Sequence, residues 1–165
     1  MASPAADWTC PGCGQAFTRR HQSHSCARQG VEELFAAYPE ALAVTQAVHR
    51  HLRTLGDVEM AAAKTQVSFR RRIRFAWVWM PKQSAGSGPD VPVVSFGLPH
   101  RLTADRIREA VQARGSFWTH HVLVPGPRQV DAELKAWLAE SYEVLGPGAS
   151  TKAAPTATRP RRKAR

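Results

Sequence analysis

Apolar residues along the chain recur with two different periods. From Ala41, through Leu42, Val44, Val48 and Leu52, to Leu55 they fall every three to four positions, with Arg50 and Arg53 on the opposite side. That spacing predicts an amphipathic helix of four to five turns, opened by Pro39 and stopped by Gly56. A short amphipathic segment, Val31 to Tyr38, precedes it. Beyond Gly56 the period falls towards two. Val58 to Ala63, Thr65 to Arg71 and Arg74 to Met80 alternate or run rich in β-branched and aromatic residues, which predicts three strands. Alternation places Phe75, Trp77 and Trp79 together on one face, and burial of that face is the expectation. A Gly/Pro/Ser-rich stretch from Lys82 to Pro92 reads as a loop, followed by a strand from Val93 to Gly97. Thr103 to Arg114 reads as a short helix with Thr103 as N-cap and Ile107, Ala110 and Val111 on its buried side. Phe117 to Val124 is a further strand. A last helix opens at Asp131 or the residue before it and carries Leu134, Trp137, Leu138, Tyr142 and Leu145 on one stripe.

A helix, an antiparallel run of four or five strands and a closing helix define an α+β fold. It is expected as a two-layer antiparallel sheet with flanking helices. The 165 residues allow one such domain with appendages. No apolar run approaches the roughly 20 residues needed to cross a bilayer. The start, MASPAADW, has neither a basic head nor an apolar core, so no secretory signal is expected and the location implied is cytoplasmic.

Charge is unevenly placed. The chain holds 23 Lys+Arg against 13 Asp+Glu, a net +10. Residues 147–165 contribute +6 of that with no acidic residue, while 1–30 and 31–146 contribute +2 each. The segment 147–165 is rich in Pro, Ala and Thr and has nothing aromatic to bury, so it is expected to be a disordered basic tail. Three sections follow: a small N-terminal module over 1–29, an α+β domain over 30–146, and the tail. A mobile basic tail attracts DNA or RNA without sequence preference, and Arg161, Arg162 and Lys163 are its densest charge.

Cys10, Cys13 and Cys26 are the only cysteines. An odd count with no secretory signal argues against a disulfide framework. Cys10-Pro-Gly-Cys13-Gly has the spacing at which two thiolates converge on one cation, and His21-Gln-Ser-His24-Ser-Cys26 supplies further donors. Cys10, Cys13 and Cys26 with one histidine make a Cys3His set for a tetrahedral, structural Zn2+; His21 and His24 both qualify. Four protein donors leave no open position for catalysis. Arg19 and Arg20 lie in the same segment and are candidate phosphate contacts.

In the main domain, Lys64 sits between two strands as a candidate anion-binding group. Arg70, Arg71, Arg72 and Arg74 cluster at a strand turn, able to follow a phosphate backbone or to sit as a solvated hairpin tip. His120 and His121 must point to opposite faces of a strand, one expected buried and one exposed. With His100 or Lys64 nearby, His120 is a candidate acid or base. No paired carboxylate, phosphate loop or nucleophile motif accompanies it, so the balance leans against an enzyme.

Two sets of residues carry a resemblance. One is Trp8-Thr-Cys10-Pro-x-Cys13-Gly with Phe17 and His24-Ser-Cys26. The other is Lys64-Thr-x-Val-x-Phe, Trp118-x-His120, and the helix with Asp131, Trp137-Leu and Tyr142. Together these resemble the bacterial family of domains of unknown function numbered 5655, in the version with an N-terminal zinc knuckle. The resemblance implies His24 as the fourth ligand, with His21 as the alternative, because the pattern at the metal is H-S-C. It also marks the Lys-Thr pair as characteristic. A looser likeness is to the MmcQ/YjbR-like (CyaY-like) α+β proteins, some of them described as DNA-binding. The combined expectation is a zinc-braced, non-enzymatic interaction module with nucleic-acid affinity. The alternative is a small enzyme or anion-binding domain centred on Lys64 and His120, and a docked protein partner is a third reading.

Overall fold

The computed structural model describes residues 8–9, 16–17, 30–81, 90–113 and 115–146. Two short strands, β1 (Trp8–Thr9) and β2 (Ala16–Phe17), pair antiparallel, Trp8 opposite Phe17 and Thr9 opposite Ala16. The main domain begins with a single helical turn, α1 (Val31–Leu34), and the long helix α2 (Pro39–Leu55). Pro39 occupies the first turn of α2, where its missing N–H is not needed. Ala41, Val44, Val48 and Leu52 form the buried stripe of α2, as their spacing predicts.

Six strands then build one sheet: β3 (Glu59–Ala62), β4 (Gln66–Arg70), β5 (Arg74–Trp79), β6 (Val93–Leu98), β7 (Ile107–Gln112) and β8 (Trp118–Leu123). Their order across the sheet is β3-β4-β5-β6-β8-β7, and every neighbouring pair is antiparallel. A short 3-10 turn (Pro127–Gln129) leads into α3 (Ala132–Leu145). Asp131 caps α3, its carboxylate accepting from the Leu134 N–H at 3.1 Å.

Both long helices lie on one side of the sheet. Ala41, Val44, Val48 and Leu52 of α2 share a single core with Leu134, Leu138 and Tyr142 of α3. From the sheet come Val67, Phe69, Val78, Val94, Phe96 and Val122. Phe75 meets Tyr142 edge to face at 5.5 Å. Ser141 anchors α3 by donating to the Phe75 carbonyl at 3.0 Å. The expected two-layer α+β architecture is therefore present, with six strands in the main sheet.

Thr103 to Arg114 is not a helix. Residues 107–112 form edge strand β7, paired with β8. Its register shifts between Ile107 and Glu109, so Arg108 is the extra residue of a β-bulge. The burial of Trp77 and Trp79 alongside Phe75 also differs from expectation. Pairing of β4 with β5 steps from Phe69–Ala76 to Arg70–Arg74, leaving Phe75 as an extra residue. That bulge turns both Phe75 and Ala76 into the helix-side core and sends Trp77 and Trp79 to the opposite face, where they are only half-buried.

Candidate functional site

The metal ligands named from sequence, Cys10, Cys13, His21, His24 and Cys26, lie outside the described residues, as do Arg19, Arg20, Arg161, Arg162 and Lys163. Three soft thiol donors and imidazoles within seventeen residues fit zinc chemistry. Among the described residues, no group of three His, Cys, Asp or Glu side chains is placed to hold a metal. No helix among them is long and apolar enough to cross a membrane.

Lys64 and Thr65 form the exposed two-residue loop of the β3–β4 hairpin, closed by the Ala63 N–H donating to Gln66 at 2.8 Å. His120 lies three strands beyond β4 and nearer the other end of the sheet. At about 4.8 Å between strands and 3.3 Å per residue, roughly 20 Å separates the two. The structure does not bring Lys64 and His120 together.

His120 is fully buried on the helix side, stacked on Phe96 with ring centroids 5.4 Å apart. Its Nε2 accepts from the Leu102 N–H at 2.9 Å, which places the proton of the neutral ring on Nδ1. Nδ1 has no hydrogen-bond partner. Burial pushes the imidazole below its usual range, and the neighbouring His100 adds to this. The Phe96 carbonyl offsets part of that shift without completing a hydrogen bond to Nδ1. His100 itself faces Glu140 at 3.5 Å.

His121 points the other way, as strand alternation requires, but is half-buried rather than exposed because it packs against the two tryptophans. Ser95, opposite His121 in the register, lies within 2.7 Å of its Nδ1. The Ser95 Oγ also accepts from Trp79 Nε1–H at 2.9 Å. The indole can only donate, so the serine proton is best used on Nδ1, leaving the neutral imidazole protonated at Nε2. Burial lowers the His121 pKa; Glu109 opposes this and Arg108 assists it. Trp79 and Trp77 both stand edge-on to the His121 ring, at 6.0 and 6.4 Å. A serine within reach of an imidazole is the start of a nucleophile–base pair. Here Ser95 is completely buried under these rings, so its hydroxyl positions them and is not displayed to a substrate.

The arginine cluster occupies the β4–β5 turn, and all four side chains are exposed. Each has a distinct setting. Arg70 pairs with Glu59 at 2.6 and 3.0 Å. Arg71 lies over the Tyr142 ring at 5.3 Å, and Arg74 over the Trp77 ring at 4.8 Å. The Arg72 backbone N–H donates to Gly146 at the end of α3, so the turn is tied to the helix. The hairpin thus sets Arg71 against Tyr142 on the helix side and Arg74 beside the half-buried tryptophan face. The tryptophan–serine–histidine group on that surface escaped sequence reasoning; its available signal was the Trp-x-Trp spacing combined with Ser95 in an apolar strand.

One more recess lies at the C-terminal end of α2, a cleft of about 520 Å³ lined by His49, Arg53, Asp57 and Met60 among others. His49 is held towards its neutral form by burial and by Arg53, and its ring stacks on Phe69 at 6.1 Å.

A six-stranded antiparallel sheet with two long helices on one face and an aromatic, cation-flanked opposite face defines the class of domain. The family described as a domain of unknown function (DUF5655) matches residues 31–144, and the chain belongs to it. The match begins at Val31, after the cysteine segment. No curated protein and no solved structure matches the chain.

Proposed function

We propose that this protein is a cytoplasmic, non-enzymatic interaction module whose ligand is nucleic acid. In this reading Cys10, Cys13, His24 and Cys26 hold a structural Zn2+, with His21 the alternative fourth ligand. The metal supplies folding energy to a small N-terminal knuckle that cannot bury a core of its own. The chain then represents the knuckle-bearing version of its family, and the α+β layout accords with a likeness to MmcQ/YjbR-like domains. The observation that carries the nucleic-acid reading is the β4–β5 hairpin. It holds Arg70, Arg71, Arg72 and Arg74 exposed within one turn, next to half-buried Trp77. The tail adds positive charge through Arg161, Arg162 and Lys163.

The test is the salt dependence of binding, read by fluorescence anisotropy of a labelled mixed-sequence oligonucleotide. Each phosphate contact removed lowers the log–log slope by about 0.7 to 0.9. Arg71→Gln with Arg72→Gln is expected to lower it by about one to two. Neutralising Arg161, Arg162 and Lys163 in the full chain should leave a residual, hairpin-dependent slope. Binding that ignores the hairpin arginines, or no binding at low salt, would refute this function.

A further inference from the structure

The two faces of the sheet are unlike: α2 and α3 pack on one, and the other carries a row of polar and aromatic side chains. Along its central row lie Ser68, Trp77, Ser95, His121 and Glu109, each opposite the next across the strands. Beside them sit Trp79, Leu123 and Val111. Leu123 and Val111 are 39% and 45% exposed, so no described element closes over this face. Ser95 is nevertheless completely buried, because Trp79 and His121 both hydrogen-bond to it and their rings cover it. The only indole donor of Trp79 is thereby used inward. Trp77 and Trp79 are half-buried on this side, Trp79 held by its bond to Ser95 and both by edge-on contacts with His121.

We infer that this face is a stacking platform for single-stranded nucleic acid, with Trp77 and Trp79 carrying unpaired bases and Arg74 and Arg108 receiving phosphates. The inference rests on the nucleic-acid reading above and adds the strandedness of the ligand and the residues that recognise it. Three features support it. Pinned rings lose little freedom when a base stacks on them. Surfaces that offer ring faces and few free donors bind bases by stacking, which every base can satisfy and which pairing in a duplex conceals. The charge is complementary as well. Arg74 already lies over Trp77 at 4.8 Å, and exposed Arg108 is close enough for its charge to lower the His121 pKa. Glu109, opposite His121, repels phosphate and leaves the Arg74 side as the preferred path.

The experiment titrates the full chain with oligothymidylate of about twelve nucleotides and with a duplex of equal length, read by anisotropy and by tryptophan fluorescence. The single strand is expected to bind more tightly, to quench tryptophan emission, and to keep the greater share of its affinity as salt rises. Trp77→Ala is expected to weaken it about tenfold, Trp77→Phe to restore most of that, and neither to alter duplex binding appreciably. Trp79→Phe keeps a ring while removing the bond to Ser95, and a several-fold loss is expected from it. Cooperative melting of each variant shows that it folds. If Trp77→Ala leaves single-strand affinity unchanged while Arg71→Gln with Arg72→Gln still weakens it, the platform is refuted and the nucleic-acid function stands. If neither oligonucleotide binds at low salt, both fall. A concentration-dependent dimer abolished by Trp77→Ala would also overturn the inference, the face then joining two copies of the chain.

Discussion

Acidification should destabilise this domain well above the pH at which carboxylates titrate, and His120 should be a main cause. Its ring is fully buried and lacks a partner at Nδ1. Burial holds its pKa below the ordinary value of 6.5, and the nearby His100, His121 and Arg101 push in the same direction. The unfolded chain therefore takes up a proton near pH 6.5 that the folded chain refuses. Stability is unaffected well above that pH, falls as pH drops through 6.5, and levels off only below the folded value. One such group contributes at most about 1.4 kcal/mol per pH unit, and about 1.4 kcal/mol in all between pH 7.5 and 5.5. His49 and His121 are shifted the same way and add to the slope.

The assay is urea unfolding followed by circular dichroism at pH 7.5, 6.5 and 5.5, for the unaltered chain and for His120→Gln. Glutamine stays neutral throughout and offers a carbonyl to the Leu102 N–H. It loses the stack on Phe96, so a lower stability at pH 7.5 is expected and is not the readout. The readout is the difference between pH 7.5 and 5.5, expected to shrink by up to about 1.4 kcal/mol in the variant. An equal pH dependence in both proteins would refute the assignment of a depressed, buried imidazole at position 120.

The other expectations concern specific joints of the fold. Gly56 ends α2 at φ +145°, and a Cβ there would lie 2.5 Å from the Tyr142 hydroxyl. Gly56→Ala should cost about 2 to 4 kcal/mol in chemical denaturation, with Tyr142→Phe recovering only the steric part. Arg106 donates to both Asp131 carboxylate oxygens at 2.6 and 2.7 Å, to Glu133 at 3.3 Å, and to the Gln129 carbonyl at 2.8 Å. Arg106→Met should cost about 1 to 3 kcal/mol at neutral pH. Burial raises the Asp131 pKa, but the Leu134 N–H and Arg106 outweigh it and hold it below 3.8. The deficit of Arg106→Met should therefore persist above that pH and narrow as pH falls through the folded value. Metal analysis of the purified chain should find about one zinc, lost in Cys10→Ala, Cys13→Ala and His24→Ala and retained in His21→Ala. Zinc indifferent to His24 would reassign the fourth ligand.

Much of this fold could be read from the chain wherever one period dominated. The α2 stripe from Ala41 to Leu52 and the α3 stripe from Leu134 to Tyr142 both bury the predicted faces. Asp131 caps α3 as its position suggests. The opposed directions of His120 and His121 follow from strand geometry alone. Strand order was beyond reach, because β7 packs outside β8 and reverses the sequential order at that edge. Contacts across the sheet were hidden for the same reason. Nothing local says that Ser95, sixteen residues after Trp79, will accept its indole proton, or that Lys64 and His120 will lie far apart.

The two misread segments have one physical origin, and it also makes the open face. In β7 the residues turned towards the helices are Ile107, opposite Val122, and Ala110, opposite His120. They are three apart because Arg108 bulges out, so a strand acquires the spacing of a helix, in a stretch rich in helix-favouring Ala, Arg, Glu and Gln. The pairing requirement of β8 then overrides local preference, and the bulge with its charged neighbours blunts the sheet's outer edge against further strands. In β5 the extra residue is Phe75. Without it, strict alternation would put Phe75, Trp77 and Trp79 on one side, and either two large indoles would crowd the helices or Phe75 would leave Tyr142. The bulge separates these demands: Phe75 and Ala76 serve the core, while Trp77 and Trp79 are released to cover Ser95 and meet His121. Each bulge also brings an arginine to the aromatic face, Arg74 beside the one in β5 and Arg108 within the one in β7. The same local irregularities that defeat periodicity thus place cations on two sides of the tryptophans.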